Sequence, residues 1–196
     1  MKVPVEDVFC NNGPLSFVLW LAVAFRASFH CVLPYPPAGS SFPEAADIDF
    51  LASIREGAAD LPVFFHINCS VQELKTLYGE SLIYWHATGL GRNLDEEPEK
   101  AEHFGISIVE AMSGGAIPVT LNTGGPTEII TEGVNGFFYD DLDGLVSQTM
   151  RLLSSTDKSV LEQLSLAAQS RAKDFSYDQF NASIASVFDQ PYVSAG

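Results

Sequence analysis

Short apolar runs alternate with amphipathic stretches along most of the chain. Apolar runs of four to six residues beside turn residues have the length and composition of strands, and apolar residues at helical spacing indicate helices. The predicted strands are residues 29–33, 62–67, 82–85, 117–121 and 136–139. The predicted helices are residues 45–59, 70–78, 127–131, 142–153, 159–173 and 177–188, with a further helix beginning near Ile106.

This alternation predicts an α/β fold: a Rossmann-like parallel sheet with helices on both faces, followed by C-terminal helices. Ligands of such sheets bind at the carboxyl ends of the strands. The loop that follows the predicted strand 82–85 falls on that edge, and it leads to the helix that begins near Ile106. We therefore expect a ligand-binding site in this part of the chain.

Residues 15–25 form an uncharged apolar run that fits neither a membrane span nor a signal peptide. Eleven residues are too few to cross a bilayer. A signal peptide begins with positive charge, whereas here Lys2 is soon followed by Glu6 and Asp7. The run therefore predicts a buried helix packed on the sheet.

Composition is that of a globular domain, with 46% hydrophobic residues and enough apolar side chains for a sizeable core. The net charge of −15 and the pI near 4.4 argue against nucleic acid and anionic membranes as partners. The cysteines, Cys10, Cys31 and Cys69, are widely spaced and odd in number. They show no metal-binding spacing and predict reduced thiols in a cytoplasmic protein.

Two glutamates eight positions apart, Glu102 and Glu110, bracket a glycine turn and the start of a helix. The first amides of a helix lack intrahelical acceptors, and with the helix dipole they form an anion site. Gly105 has no Cβ and lets a ligand approach the backbone closely. Carboxylates accept hydrogen bonds from sugar hydroxyls. The spacing suits a nucleotide-diphosphate sugar, and the alternative is an unrelated pair of surface glutamates.

The surrounding sequence carries further motifs in a fixed order. Residues 102–112 read EHFGISIVEAM, and they are followed by a glycine pair and the strand residues IPVT. Downstream come GGPTEII at 124–130 and GVNGF at 133–137. These motifs resemble the C-terminal, donor-binding domain of retaining glycosyltransferases of the GT-B fold, family 4, also called group 1. The resemblance extends over about residues 62–188.

The resemblance implies a role for each matching residue. Glu102 would be the catalytic residue that contacts the donor sugar near the reacting carbon, and Glu110 would bind the ribose hydroxyls. The base would lie near the end of strand 62–67, and the donor would be bound without metal or cofactor. Other residues implied in donor binding are His103, Phe104, Gly105, Ile106, Gly124 and Gly125. The implied function is transfer of a hexosyl group to an acceptor with retention of configuration.

The chain departs from this family at its start, where a Gly-Arg strand end and a later lysine would neutralise the diphosphate. No such motif occurs in the first 34 residues; Lys75, Arg92 or His103 would then substitute. We expect a truncated or split enzyme that needs a separate N-terminal domain, or a degenerate relative that binds nucleotide weakly or not at all. The predicted divisions are 1–28, a remnant; 29–175, the nucleotide-sugar domain; and 176–196, a helix and tail.

Acceptor and location follow from the same resemblance. The acceptor would be a glycan or a lipid-linked sugar, and the protein would be cytoplasmic, bound peripherally to a membrane only through a partner domain. Weaker candidates are a metal site in the acidic loop 95–99 and a general base at His86 or His103. A nicotinamide-binding domain would need a glycine fingerprint after the first strand, where Leu33 is instead followed by Pro34.

Overall fold

The structure, a computed structural model, describes residues 20–24, 28–33 and 45–188. The strands within these residues are β1 (Trp20–Ala24), β2 (Ser28–Leu33), β3 (Val63–Ile67), β4 (Ser81–His86), β5 (Ile117–Leu121) and β6 (Phe137–Tyr139). The α-helices are α1 (Ala45–Gly57), α2 (Val71–Glu80), α3 (Ile106–Gly114), α4 (Pro126–Ile129), α5 (Leu142–Leu153), α6 (Lys158–Ala172) and α7 (Tyr177–Phe188). Single 3-10 turns occupy Pro98–Lys100 and Lys173–Phe175.

The six described strands form one sheet in the order β3-β2-β1-β4-β5-β6. Strands β2 and β3 are parallel, as are β4, β5 and β6 among themselves. The predicted strands thus pair in parallel, and β1, which was not predicted as a strand, runs antiparallel to both of its neighbours. Only three residues separate Ala24 from Ser28, and a parallel crossover needs at least about ten.

The predicted helix at residues 15–25 was wrong where it can be compared, because residues 20–24 form β1. Residues 15–19 and residue 25 lie outside the described part of the chain. A short apolar run without polar positions has no periodicity, and strand and helix cannot be told apart by pattern alone.

Elsewhere the sequence prediction of the elements is confirmed, with small shifts at their ends. The strand β5 and the helices α5 and α7 have the predicted bounds. Ser70 caps α2, accepting a hydrogen bond from the Glu73 amide at 3.2 Å. The α/β class is confirmed, and helices cover both faces of the sheet.

Alternating residues of the strands divide the core between the two faces of the sheet. One cluster contains Ile83 and Ile117 of the sheet together with residues of α5. The other contains Tyr84 of the sheet and Ile108 of α3. Helix α6 contributes to both clusters, since it adds a leucine to the first and two alanines to the second. Strands β4, β5 and β6 therefore pack against side chains on both faces of the sheet.

No helix among the described residues is long and apolar enough to cross a membrane. The boundaries predicted at residues 28 and 175 stay a prediction, although β1, which precedes residue 28, pairs with both β2 and β4.

Candidate active site

The site is built on the carboxyl end of β4, where a buried histidine holds a glutamate. His86 is the last residue of this strand and its side chain is fully buried. Its Nε2 lies 3.1 Å from Oε2 of Glu102. The hydroxyl of Tyr139 donates to the His86 carbonyl oxygen at 2.8 Å, which ties the end of β4 to β6. The glutamate is therefore anchored to the sheet and not only to its own loop.

The turn after Glu102 folds back onto the same carboxylate. The Phe104 amide donates to Oε1 of Glu102 at 3.3 Å. The hydrogen bond from His86 lowers the pKa of the Glu102 carboxyl, and the backbone amides of Phe104 and Gly105 act in the same direction against the effect of burial. An ionised carboxylate with about a fifth of its side chain exposed is a ready acceptor for hydroxyl groups of a ligand.

The Gly124–Gly125 pair packs directly against this turn. The Gly125 amide donates to the carbonyl oxygen of Glu102 at 2.8 Å. A Cβ at position 124 would overlap that same oxygen, and one at position 125 would lie 2.5 Å from Cα of Phe104. Gly124 also has φ +62°, which favours glycine. The two glycines let one backbone segment lie against the other, and they hold the Glu102 turn from a second side.

Gly105 is the N-cap residue of helix α3, and its φ of +100° lies in the left-handed region. This left-handed conformation favours glycine, and a Cβ there would also lie 2.7 Å from the Cδ1 atom of the buried Ile108 side chain. Ile106 and Ser107 occupy the first turn, where backbone amides have no intrahelical acceptor. The predicted helix start is thus confirmed.

Glu110 lies one turn further along α3, on an exposed part of the helix. Partial desolvation by the surrounding protein raises the pKa of its carboxyl. The pKa of the buried Tyr84 phenol is raised well above its usual value, first by burial and then by the nearby charges of Tyr78, Glu102 and Glu110. Glu110 is thus a partly desolvated carboxylate on the exposed side of α3.

The remaining predicted residues take different positions around the turn. The His103 side chain is exposed, and its backbone oxygen lies against Gly125. Phe104 is 45% exposed and stacks edge-on against Phe175 at 5.7 Å between ring centroids. Ile106 is 67% exposed. Apolar surface beside an anion-binding turn is suited to the faces of a sugar or base.

Sequence reasoning named His86 only as a general-base candidate and missed the roles of Tyr139 and Arg171. Arg171 donates from Nε and Nη2 to the carbonyl oxygens of Ile129 and Glu128, at 3.0 and 2.6 Å. It thereby caps the carboxyl end of α4, the helix that follows the glycine pair. The sequence offered a signal only for His86, which is a polar residue at the end of an apolar strand. It offered none for Tyr139 or Arg171.

Other candidates lie apart from this cluster. The acidic loop contributes a 3-10 turn at Pro98–Lys100, and its carboxylates Asp95, Glu96 and Glu99 are exposed. Lys75 and Arg92 are exposed as well. Within the described residues no lysine or arginine forms an ion pair with either site glutamate. Of the three residues named as substitutes for the missing cationic motif, only His103 lies in the Glu102 turn.

The fold is a Rossmann-like domain that carries a glycine-containing helix start and two carboxylates at the carboxyl edge of its sheet. The profile of the family described as glycosyl transferases group 1 matches residues 51–171, more than half of the chain. The protein therefore belongs to that family.

Similar proteins agree with this assignment. A sucrose synthase of Melioribacter roseus is 37% identical over 87 residues, which are 42% of this chain and 11% of that protein. A GDP-Man:Man(3)GlcNAc(2)-PP-Dol alpha-1,2-mannosyltransferase of Xenopus laevis is 32% identical over 128 residues, or 62% of this chain and 24% of that protein. The chain thus spans a quarter or less of these curated relatives.

Solved structures show the same fold. Anabaena Alr3699/HepE, crystallised in complex with UDP and glucose, superposes with a TM-score of 0.60 at 20% identity over 80% of this chain and 39% of that one. The sucrose-phosphate synthase of Thermosynechococcus elongatus gives a TM-score of 0.62 at 18% identity, over 81% of this chain and 37% of that one. The superposed region is less than half of each of these longer chains.

Proposed function

We propose that this chain is the donor-binding domain of a retaining, family 4 glycosyltransferase, which transfers a hexosyl group from a nucleotide-diphosphate sugar. The observation that carries the proposal is the fixed carboxylate of Glu102 at the amino end of α3. Its Oε2 is held at 3.1 Å by buried His86, and its Oε1 accepts from the Phe104 amide. Such a group is both ionised and positioned to receive hydroxyls of a donor sugar.

Donor binding follows from the groups around that carboxylate. The first-turn amides of α3 and the positive end of its dipole face the site of the diphosphate. The close packing of Gly124 and Gly125 on the turn keeps those amides in place. Glu110, one helical turn away, accepts the ribose 2′- and 3′-hydroxyls. The ring faces of the ligand lie against Phe104 and Ile106, with His103 at the mouth.

The reaction is a displacement on one face of the sugar. The acceptor hydroxyl oxygen forms a bond to the anomeric carbon as the bond from that carbon to the diphosphate oxygen breaks, and its electron pair leaves with the diphosphate. The hydroxyl proton passes to an oxygen of the departing diphosphate. Glu102 orients the sugar, and the α3 amides stabilise the charge that develops on the leaving group.

A second domain completes the enzyme in this proposal. With a net charge of −15, the chain needs local cations to hold a dianionic diphosphate well. We infer that an N-terminal acceptor-binding domain, on the same or another chain, contributes to the cleft. The acceptor is a glycan or a lipid-linked sugar. The similarity to proteins at least four times as long as the aligned segment supports this inference.

A cytoplasmic location is part of the proposal. Of the cysteines in the described residues, Cys31 is buried and Cys69 half-buried, and both are free thiols. Burial raises the pKa of the Cys31 thiol to about 12, so it is protonated and unreactive at neutral pH. Free thiols of this kind are usual in reducing compartments.

The test is calorimetric titration of the purified chain with UDP, GDP and ADP and with their common sugar conjugates. We expect micromolar binding to one nucleotide that is lost in Glu110→Ala. Glu162→Ala, at an exposed glutamate in helix α6, is the matched control and should bind like the parent. Absence of binding to every nucleotide would contradict the proposal and favour a degenerate relative.

A further inference from the structure

A cavity lies at the same edge of the sheet as the Glu102 turn but is lined by other residues. It has a volume of about 300 Å³, at the lower end of the range for small-molecule pockets. Its polar lining comes from the loops that follow three adjacent parallel strands: Arg92, Asn93 and Asp95 after β4, Asn122 and Thr123 after β5, and Asp140 after β6. The carboxyl ends of neighbouring parallel strands are where such sheets bind ligands.

Backbone hydrogen bonds and one contact with the core fix the loops that line the cavity. The Asn122 amide donates to the Tyr139 carbonyl oxygen at 3.0 Å, which fixes Asn122 beside the end of β6. The loop after β4 is anchored by Leu94, which packs against the core cluster beneath α5. Amides of Glu96 and Glu97 donate to the Asn93 carbonyl oxygen at 3.1 and 2.9 Å. The polar side chains that line the cavity are therefore presented by an ordered frame.

Charge decides what this cavity can hold. Its lining carries one cation, Arg92, against two carboxylates, Asp95 and Asp140. A phosphate or diphosphate would face a net negative surface in a chain that is already strongly acidic. Two amide side chains and a hydroxyl add neutral donors and acceptors. This set matches a neutral ligand with many hydroxyl groups, which both donate and accept.

We propose that the cavity binds the sugar unit of the acceptor. The inference rests on the proposed function and deepens it, since it gives the chain a site for the second substrate of the same reaction. The described residues that line the cavity do not include the Glu102–Ile106 turn, where the donor sugar is placed. His86 ends β4 and Gly89 lies three residues later, so the two sites adjoin along one loop.

The test uses saturation-transfer NMR on the full chain in the presence of UDP. The probes are the methyl α-glycosides of glucose, mannose and N-acetylglucosamine, together with sucrose. We expect contact signals from at least one probe, and a fall to baseline in the double variant Asn122→Ala/Asp140→Ala. Asp143→Asn, at a carboxylate in the first turn of α5 outside the cavity, is the control and should keep the signals.

A second measurement distinguishes the acceptor from the hexose of the donor. The ratio of affinities for UDP-glucose and UDP should be the same in the parent and the double variant. A ratio that falls in the variant would assign the cavity to the donor's hexose and overturn the proposal. Silent probes with normal UDP binding would also overturn it and leave the proposed function intact. Probe signals without any nucleotide binding would support the cavity and refute the proposed function.

Discussion

The contact between the glycine pair and the Glu102 turn predicts a large effect of one added methyl group. In Gly125→Ala the new Cβ would lie 2.5 Å from Cα of Phe104, whereas carbon atoms pack at about 3.5–4.0 Å. The two segments must therefore separate by about 1 Å. Such overpacking typically costs about 1–3 kcal/mol. The hydrogen bond from the position-125 amide to Glu102, now 2.8 Å, weakens at the same time.

The displaced turn should also bind nucleotide less well. A hydrogen bond to a charged group contributes about 1.5–3 kcal/mol. Loss of one such bond between an α3 amide and phosphate weakens binding at least about tenfold. We expect Gly125→Ala to reduce the free energy of unfolding in urea and the affinity, measured by calorimetry, for the nucleotide that binds the parent.

Gly79→Ala is the matched control for this substitution. Gly79 lies in α2, where an alanine Cβ would have no neighbouring atom within 4 Å, and its φ is not left-handed. Alanine should raise the free energy of unfolding there by about 0.5–1 kcal/mol. Unchanged stability of Gly125→Ala would refute the proposed packing. Reduced stability with full nucleotide affinity would refute the proposed role of the turn in phosphate binding.

Three further predictions concern the anchors of the site. Tyr139→Phe removes the hydrogen bond to the His86 carbonyl and should lower the free energy of unfolding by about 1 kcal/mol in urea. Arg171→Ala leaves the carboxyl end of α4 uncapped and should cost about 2 kcal/mol in the same assay. Because the pKa of Glu102 is lowered on folding, Glu102→Gln should be destabilising at neutral pH; this difference should start to shrink below the usual glutamate pKa of 4.5 and disappear only below the lowered pKa of the folded state.

The tyrosine and glutamate predictions can each be contradicted. Tyr177→Phe, in a side chain that is 77% exposed, should leave stability unchanged. Equal losses from both tyrosine variants would contradict the role of the buried hydroxyl. A stability difference for Glu102→Gln that grows on acidification would reverse the sign of the linkage and refute the hydrogen-bonded, ionised carboxylate.

Local pattern was sufficient for most of the fold. The strand β5 and the helices α5 and α7 are bounded by turn residues or caps that act within a few positions, and they were predicted with their observed ends. The strand β1 was not, because an uninterrupted apolar run has no period. It runs antiparallel to β2 because only three residues connect the two strands. This short connection was not recognised, because residues 15–25 were predicted to form a helix.

The candidate site was predictable only in part, because some of its contacts join residues that are far apart in the sequence. The glycine and helix start at Gly105 are local features, and the structure has them as expected. The bond between His86 and Glu102 joins residues 16 positions apart across a long loop. The contact of Gly125 with the backbone of His103 spans a whole helix and strand. Such contacts follow from the packing of the sheet, which no short pattern encodes.

The way in which Glu102 is held has a consequence for how this protein can diversify. Its supports are the end of β4 and the Gly124–Gly125 turn, both of which belong to the sheet edge. Residues 87–101 connect His86 to Glu102, and apart from Leu94, which packs on the core, this loop can change while both supports of the carboxylate stay in place. Laboratory selection for a new ligand specificity should therefore begin with the exposed positions of that loop.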